Sequence, residues 1–533
     1  MIKKILALTL ALLMVLAVFV GCGKKKKTNL DDETTPEAAA TTPAGDEEET
    51  TEKMTINETN EDFGKDGEVN DTNELDDKDI AWLLDPNNHE GSDIPEDRDY
   101  GGYTFTILAD SNTGNKIAQC EFLAEADGDL IKDKVVERRE MIEAYVGVTL
   151  NIVEAEGGYG NMEGFAADIE AASGSGTPYD LSVSYCLIPP IVAAKGLSKD
   201  LAESKNLNLL KTTKPYWGSG IKEEIMIGGR IFWMSDNSSW TNLRSMTCIF
   251  VNKAKFETYN EGYTVDKLYE MVDNKTWTMD NMLALSQNAY ENTSSGDDKT
   301  DGIDNADDFG FAAAIGMARV DLWLYAAGLR YTKLNTRGTY DWTLGDQVVI
   351  DMINDWQQKI QNDDDVLSKN PETEFGVQGK AIFMHAPILM TEDGLEYEYT
   401  VLPMPFYKTS IKNNYSTSLC NMYGSYLIPK AQKSEGFERS ATVLELIAAG
   451  GNQYLAPAYF EIYLKRQQAA MDHDMFRMFN IIRNSVVFDL GYLYGSSLLV
   501  ENLSGSGYDE PFLALRRIWT GGSNSYADRK SVV

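Results

Sequence analysis

The chain has 533 residues, more than one domain usually holds, and its 43% of apolar residues can fill sizeable cores. With 48 basic and 83 acidic residues, the formal net charge at pH 7 is −35. A nucleic-acid binder needs clustered positive charge, so this balance argues against DNA and RNA as partners. The three histidines are far apart in sequence, which argues against a multi-histidine metal centre.

Residues 1–22 have the layout of a secretory signal peptide. Two lysines precede an apolar run from Ile5 to Val20, which is short for a membrane span of about 20 residues. Residues 19–22 (Phe-Val-Gly-Cys) resemble a bacterial lipobox, whose cysteine receives a diacylglycerol. The resemblance implies a lipid anchor on Cys22; the alternative is an ordinary signal peptide with an incidental cysteine.

Residues 23–97 have the composition of a disordered tether. The stretch from Gly23 to Tyr100 carries 25 acidic and 8 basic residues and few large apolar ones. Low hydrophobicity with high net charge is typical of disorder. We therefore expect a flexible acidic tether that holds a folded body away from a membrane, or a linker that the acids merely keep soluble.

The folded body begins with a predicted β-α-β-α-β order. Alternating β-forming residues predict strands at 103–108, 148–153 and 179–184, with helical spacing of apolar residues between them. Such a unit closes into a parallel sheet, in which ligands lie beyond the carboxyl ends of the strands. Asp110 and Tyr185 stand at those ends, either as ligand-binding residues or as ordinary turn residues.

Several chemistries lack their motifs in this chain. No G-x-G-x-x-G follows the first strand and no G-x-x-x-x-G-K-[ST] occurs, so nothing supports nucleotide binding. No G-x-S-x-G occurs either, which argues against a serine hydrolase. The four cysteines after Cys22 have no metal-binding or redox spacing, and we expect buried thiols.

Short motifs spread over residues 100–500 resemble, in order, the extracellular solute-binding proteins of ABC importers that carry oligosaccharides. The segments are 129–148, 214–217 (K-P-Y-W), 228–233 (G-G-R-I-F-W), 249–253 (I-F-V-N-K), 268–280 (L-Y-E-M-V, then T-W-T-M-D), 379–383 (G-K-A-I-F) and 399–405 (Y-T-V-L-P-M-P). The ordered set is more specific than any one motif.

This resemblance implies an α/β fold of two lobes joined by hinge crossings, as in type II periplasmic binding proteins. We place the crossings near residues 245–251 and 401–404. The predicted lobes are then 98–245 with 404–450, and 246–403 with 451–533. The resemblance also implies a function. The protein, anchored outside the cell on the cytoplasmic membrane, would capture an oligosaccharide by hinge closure and deliver it to ABC permease subunits, without cofactor or catalysis.

Sugars present hydroxyl groups and flat C–H faces, so their sites need aromatic platforms with amide and carboxylate partners. The strand ends and the family pattern select ten candidates: Asp110, Tyr185, Trp233, Asp236, Trp240, Asn242, Asp321, Trp323, His385 and Tyr423. A tryptophan is more often core than platform, and we expect Trp277 and Trp356 to be core.

An aspartate-rich stretch partly resembles a calcium-binding loop. Its candidate ligands are Asp297, Asp301, Asp304 and Asp308. Lys299 takes the third place of the loop, where a ligand oxygen belongs, so a structural turn is the first interpretation.

Two other classes of protein stay open on the sequence alone. A secreted glycoside hydrolase needs two carboxylates about 5–10 Å apart, and 83 acidic residues allow such a pair. A cell-surface glycan adhesin would bind insoluble polymer without hinge closure. Neither alternative accounts for the motifs at the crossings.

The lipid anchor is directly testable. Replacing Cys22 with alanine should abolish metabolic labelling by a fatty acid, because the acyl chains attach to that thiol. Thr28→Ala, a small change six residues later, serves as the control and should keep the label. Labelling that persists in Cys22→Ala would contradict the anchor.

Overall fold

A computed structural model describes residues 77–494, apart from 209–213, 219–223, 288, 290–307, 314–319, 337–339, 344–345, 362–365, 368–378, 393–394, 409–413 and 466–472. The strands of its two larger sheets and one hairpin are β1 Tyr103–Asp110, β2 Val148–Ala155, β3 Leu181–Tyr185, β4 Thr247–Asn252, β5 Phe309–Ala313, β6 Thr332–Leu334, β7 Tyr340–Trp342, β8 Val366–Leu367, β9 Ala381–Pro387, β10 Tyr399–Leu402 and β11 Gly424–Leu427. The α-helices are α1 Asp77–Leu84, α2 Leu130–Val146, α3 Met162–Ser175, α4 Ile188–Ala194, α5 Trp240–Ser245, α6 Lys253–Tyr259, α7 Asp266–Asp273, α8 Met279–Ser286, α9 Val320–Ala326, α10 Gln347–Trp356, α11 Ser434–Gly450, α12 Ala456–Lys465 and α13 His473–Asn484.

The first lobe is built on the sheet β11-β3-β1-β2. Strands β1, β2 and β3 are parallel, and β11 returns antiparallel beside β3, which confirms the predicted β-α-β-α-β unit. Helix α2 begins where the Asp129 side chain accepts a hydrogen bond from the Ile131 N–H, and it ends at Gly147 with φ of 61°. Its buried face, which includes Ile131 and Val135, belongs to the lobe's core.

The second lobe is built on the sheet β10-β4-β9-β5-β8. Strand β5 runs parallel to β8 and β9, whereas β4 lies antiparallel between β9 and β10. Every residue of β4 and β9 is buried, so this sheet is the centre of its lobe. The chain therefore has the α/β fold of two lobes that the sequence predicts.

The chain passes between the two sheets through segments that pair with each other. Met246 bridges Leu419 in antiparallel register, Thr247 N–H donates to the Ser418 carbonyl at 3.0 Å, and Cys420 N–H donates to the Ser245 carbonyl at 2.7 Å. We call residues 245–247 and 418–420 the hinge pair.

The second crossing was predicted at 401–404, but the described chain does not leave the second lobe there. Strand β10 ends at Leu402, and the chain then stays with the second lobe because Phe406 exchanges backbone hydrogen bonds with Trp277 and Met279. The lobe change predicted at residue 404 thus occurs at 418–420.

The other predicted boundary, at residue 450, is also displaced. Helix α11 continues without a break through a π-helix, Gly451–Leu455, into α12, and both segments pack on α2 of the first lobe. Helix α13 packs against β10 of the second lobe instead. Because the helix does not end at residue 450, the chain stays on the first lobe beyond the predicted boundary.

Residues 77–97, predicted as part of the disordered tether, are folded onto the body; we call them the strap. Leu83 and Ile94 are buried, and the Ile94 carbonyl accepts a hydrogen bond from the Tyr145 hydroxyl at 2.7 Å. Lys214 is held between Glu90 and Asp93, at 2.7 and 2.6 Å. The rest of the predicted tether, 23–76, lies outside the described residues.

The cysteines Cys120, Cys186, Cys248 and Cys420 are all buried free thiols, as expected. Within the described residues, no helix is both long enough and apolar enough to span a bilayer.

The strap should contribute to stability. Leu83→Ala removes a side chain that is 2% exposed, so the free energy of unfolding should fall by about 2–5 kcal/mol in denaturant titration. Ala81→Ser, an exposed change on the same helix, should have little effect. Equal stability of Leu83→Ala and the parent would mean that the strap adds nothing to folding.

Candidate ligand site at the lobe junction

Asp110 ties together the strand ends of the first lobe. Its carboxylate accepts hydrogen bonds from three backbone N–H groups, those of Asn112 at 2.9 Å, Gly158 at 2.8 Å and Tyr185 at 3.1 Å. A Cβ on Gly157 would lie 2.5 Å from this carboxylate, so only glycine fits there. Burial raises the pKa of Asp110. The Asp110 side chain therefore connects the backbone that follows β1, the backbone that follows β2 and the end of β3.

Asp236 and Asn242 organise the turn before the first crossing. The Asp236 carboxylate accepts from the N–H groups of Ser238 and Ser239, at 2.7 and 2.6 Å, and burial raises its pKa to about 6. The Asn242 amide donates to the Ser235 hydroxyl at 2.9 Å and to the Asp236 carbonyl. The hydrogen bonds of both side chains named here are made to other residues of the segment 235–242.

Two of the candidate tryptophans flank the same segment. Trp233 is buried and its indole N–H donates to the Tyr494 hydroxyl at 3.2 Å. Trp240 begins helix α5, which leads directly into the hinge pair. At 9% exposed, Trp240 shows the most surface of the candidate side chains that the structure describes.

The second lobe contributes Trp323 and His385, which are in contact. Their ring centroids lie 5.6 Å apart at 76°, an edge-to-face arrangement. His385 lies on β9, is fully buried, and has no hydrogen-bond partner for either ring nitrogen among the described residues. Burial lowers the pKa of His385 to about 3, so the ring is neutral.

Tyr423 completes the set from the first lobe. It directly precedes β11, whose first residue, Gly424, pairs with Tyr185. Its ring lies 6.0 Å from that of Phe488, and burial raises its pKa well above the usual range. Asp321 lies in helix α9, and its side chain is outside the described part of the chain.

The candidates thus form three groups rather than one constellation. One group surrounds the strand ends at Asp110, one surrounds the turn before the hinge, and one is the Trp323–His385 pair. Whether these groups contact a ligand stays a prediction, because all of their described side chains are at least 91% buried in this arrangement.

Among the described residues, Arg330 and Arg244 form ion pairs that connect the lobes, and neither was predicted from the sequence. Arg330, after α9, binds Glu224 through Nε and Nη2 at 3.0 and 2.6 Å. Arg244 in α5 binds Glu392 at 2.9 and 2.5 Å. The partners are 106 and 148 residues apart, so no local pattern indicates them.

Glu224 also binds the C-terminal part of the described chain. Its second carboxylate oxygen accepts the Phe488 N–H at 2.7 Å. Asp489 next to it accepts the Tyr331 N–H of the second lobe at 2.6 Å. The segment around residue 488 is therefore hydrogen-bonded to both lobes.

Of the four candidate calcium ligands, the structure describes Asp308. Its carboxylate forms an ion pair with Lys255 at 2.5 Å. Asp297, Asp301 and Asp304 lie outside the described residues. Among the residues that the structure covers, no cluster of three histidine, cysteine or acidic side chains is arranged to hold a metal ion.

No family model matches the chain, and no curated protein matches its sequence. Several solved structures superpose on most of the chain, with low sequence identity and low TM-scores. A galacto-N-biose/lacto-N-biose-binding protein of an ABC transporter from Bifidobacterium longum is 13% identical, with a TM-score of 0.44 over 76% of this chain and 92% of that one. An ABC substrate-binding protein from Listeria monocytogenes, bound to cycloalternan, is 12% identical with a TM-score of 0.42, over 79% and 98%. A maltodextrin-binding domain from Bdellovibrio bacteriovorus, bound to maltotriose, is 12% identical with a TM-score of 0.41, over 78% and 98%. At these scores the ligands of those proteins do not carry over to this chain.

His385 should make stability sensitive to acid. In the unfolded chain the histidine takes up a proton near its ordinary pKa of 6.5, whereas in the folded protein it stays neutral down to about pH 3. Stability therefore falls as the pH drops below 6.5. Between pH 7.5 and pH 5 this amounts to about 2 kcal/mol.

The measurement is denaturant unfolding at both pH values. His385→Leu should lose less stability on acidification than the parent, by that amount. Phe383→Leu, a buried change on the same strand, should lower stability equally at both pH values. If the parent and His385→Leu respond to acid identically, the buried neutral ring is not the cause.

Proposed function

We propose that the protein is a surface-tethered solute-binding protein that captures a carbohydrate between its two lobes and delivers it to an ABC importer. The observation that carries this proposal is the hinge pair. Residues 245–247 and 418–420 connect the lobes through two neighbouring backbone segments, which permit rotation of one lobe against the other.

Closure is driven by a ligand that contacts both lobes only when they approach. Such a ligand shifts the population toward the closed form by its difference in affinity for the two forms. The Arg330–Glu224 pair joins the lobes in the described arrangement, so it stabilises an approached form without ligand. A bound sugar adds to this contact, and no bond-making step is required.

The ligand class follows from the residues near the junction. Trp240 stands at the start of the hinge helix, and Trp323 with His385 provides an aromatic edge in the second lobe. Aromatic faces with neighbouring amides and carboxylates suit the flat C–H faces and hydroxyl groups of sugars. The ordered motifs that resemble oligosaccharide-binding proteins favour the same class.

The remaining elements of the proposal concern location. A lipid on Cys22 would hold the protein at the outer face of the cytoplasmic membrane. The acidic residues that follow would give the body reach toward the permease. The strap sets where this tether leaves the body, because residues from 77 onward are packed on it.

A thermal-shift screen of soluble glycans identifies the ligand, since binding at a hundredfold excess over Kd stabilises by about 2.7 kcal/mol. Titration calorimetry with the best glycan then tests the site. Trp240→Ala and Trp323→Ala should each weaken binding about tenfold or more, because a lost aromatic contact costs about 1–3 kcal/mol.

Trp356→Phe is the matched control, since Trp356 is a buried tryptophan of α10 that lies outside the candidate groups. It should lower stability and leave the affinity unchanged. Parent-like binding by both alanine variants would contradict the site, and release of cleaved sugar would favour a glycoside hydrolase instead. Attachment only to insoluble glycan would favour an adhesin.

A further inference from the structure

A cavity lies between the strap and helices α12 and α13. The room in it for water-sized molecules is about 50 Å³, it is partly open to solvent, and none of the ten candidate residues of the lobe junction lines it. Its lining includes Trp82 of the strap, Phe460 of α12, and Asn480 and Arg483 of α13. No candidate residue of the proposed sugar site thus lines this cavity, although Arg483 is hydrogen-bonded to the turn 235–242 that carries three of them.

The positively charged group in this lining is Arg483, and its direct hydrogen-bond partners are all neutral. Its Nε donates to the Asn237 carbonyl at 3.1 Å, and its Nη2 donates to the Ser238 hydroxyl at 3.1 Å and to the Asn452 side-chain oxygen. Among the described residues, no carboxylate lies within ion-pair distance of the guanidinium. These bonds fix the group in place and leave Nη1 without a protein acceptor in the described part of the chain.

The nearest acidic influence on Arg483 is Asp236, whose carboxylate is buried and binds two backbone N–H groups of its own. Burial lowers the pKa of Arg483 to about 10, which still leaves it charged at neutral pH. The Arg483 side chain is half-buried. A partly desolvated cation without a direct counter-ion is costly, and an anion bound in the cavity would remove much of that cost.

A second hydrogen-bond donor lines the same cavity. The Asn480 Nδ2 atom is buried and has no hydrogen-bond partner among the described residues. It stands three residues before Arg483, so both side chains come from one face of α13. The acid in the lining, Glu90, is already bound to Lys214 at 2.7 Å.

We propose that this cavity binds the oxyanion of a small molecule, a carboxylate or a phosphate, through Arg483 and Asn480. Guanidinium N–H groups suit the two oxygens of such an anion. Trp82 offers a flat apolar wall for whatever carries the anion. The site does not depend on the proposed sugar site, and its ligand can differ from the transported solute.

The experiment is titration calorimetry of the full mature chain with sodium phosphate, sodium glucuronate and neutral glucose. At least one oxyanion should bind saturably, and glucose should show no binding that depends on Arg483. Tighter binding of glucuronate would identify a carboxylate ligand, and tighter binding of phosphate a phosphorylated one.

Arg483→Gln should weaken that binding at least tenfold. Asn480→Leu should weaken it severalfold while keeping the contacts of Arg483, so it tests the site even if Arg483→Gln folds poorly. Arg477→Gln on the same helix, whose side chain pairs with Asp273 and Asp474, is the matched control and should bind like the parent. The absence of saturable binding to either anion, or parent-like binding by Asn480→Leu and Arg483→Gln, would overturn the proposal.

Discussion

The arrangement of the molecule depends on the backbone pairing between residues 245–247 and 418–420. Two segments far apart in sequence exchange hydrogen bonds at the point where the chain passes from one sheet to the other. Thr417 extends the contact to a third segment, because it accepts from Val487 N–H and donates to the Ser485 carbonyl. The two sheets are thereby connected through neighbouring backbone segments.

A buried polar network anchors the hinge to the first lobe. The Glu121 carboxylate accepts from the Thr241 hydroxyl at 2.7 Å and the Tyr426 hydroxyl at 3.0 Å, and pairs with Arg138 at 3.3 Å. These bonds connect the hinge helix α5 with strand β11 and helix α2. Because a buried charge must keep its partners, the network fixes the position of α5.

Local patterns predicted the first lobe well, because its strands alternate and helix α2 has an aspartate cap. The strap was predicted to be disordered because composition was judged over residues 23–97 as a whole. Over that length the many acidic residues outweigh the few apolar ones, such as Leu83 and Ile94. The second crossing was placed wrongly because nothing near residue 404 reveals that Phe406 pairs with the backbone around Trp277. The Arg330–Glu224 pair depends on tertiary structure alone. At the site, residue type indicated candidates, but only the structure shows that Asp110 orders loop ends.

The distance between the lobes with and without ligand tests the central claim most directly. Spin labels on Tyr159→Cys and Tyr263→Cys would report it, since both positions are exposed, one in each lobe, and the four cysteines of the folded body are buried. A hinge-closing binder should show a broader distribution without ligand and a shorter, narrower one with saturating oligosaccharide. A ligand that binds and leaves the distribution unchanged would contradict closure.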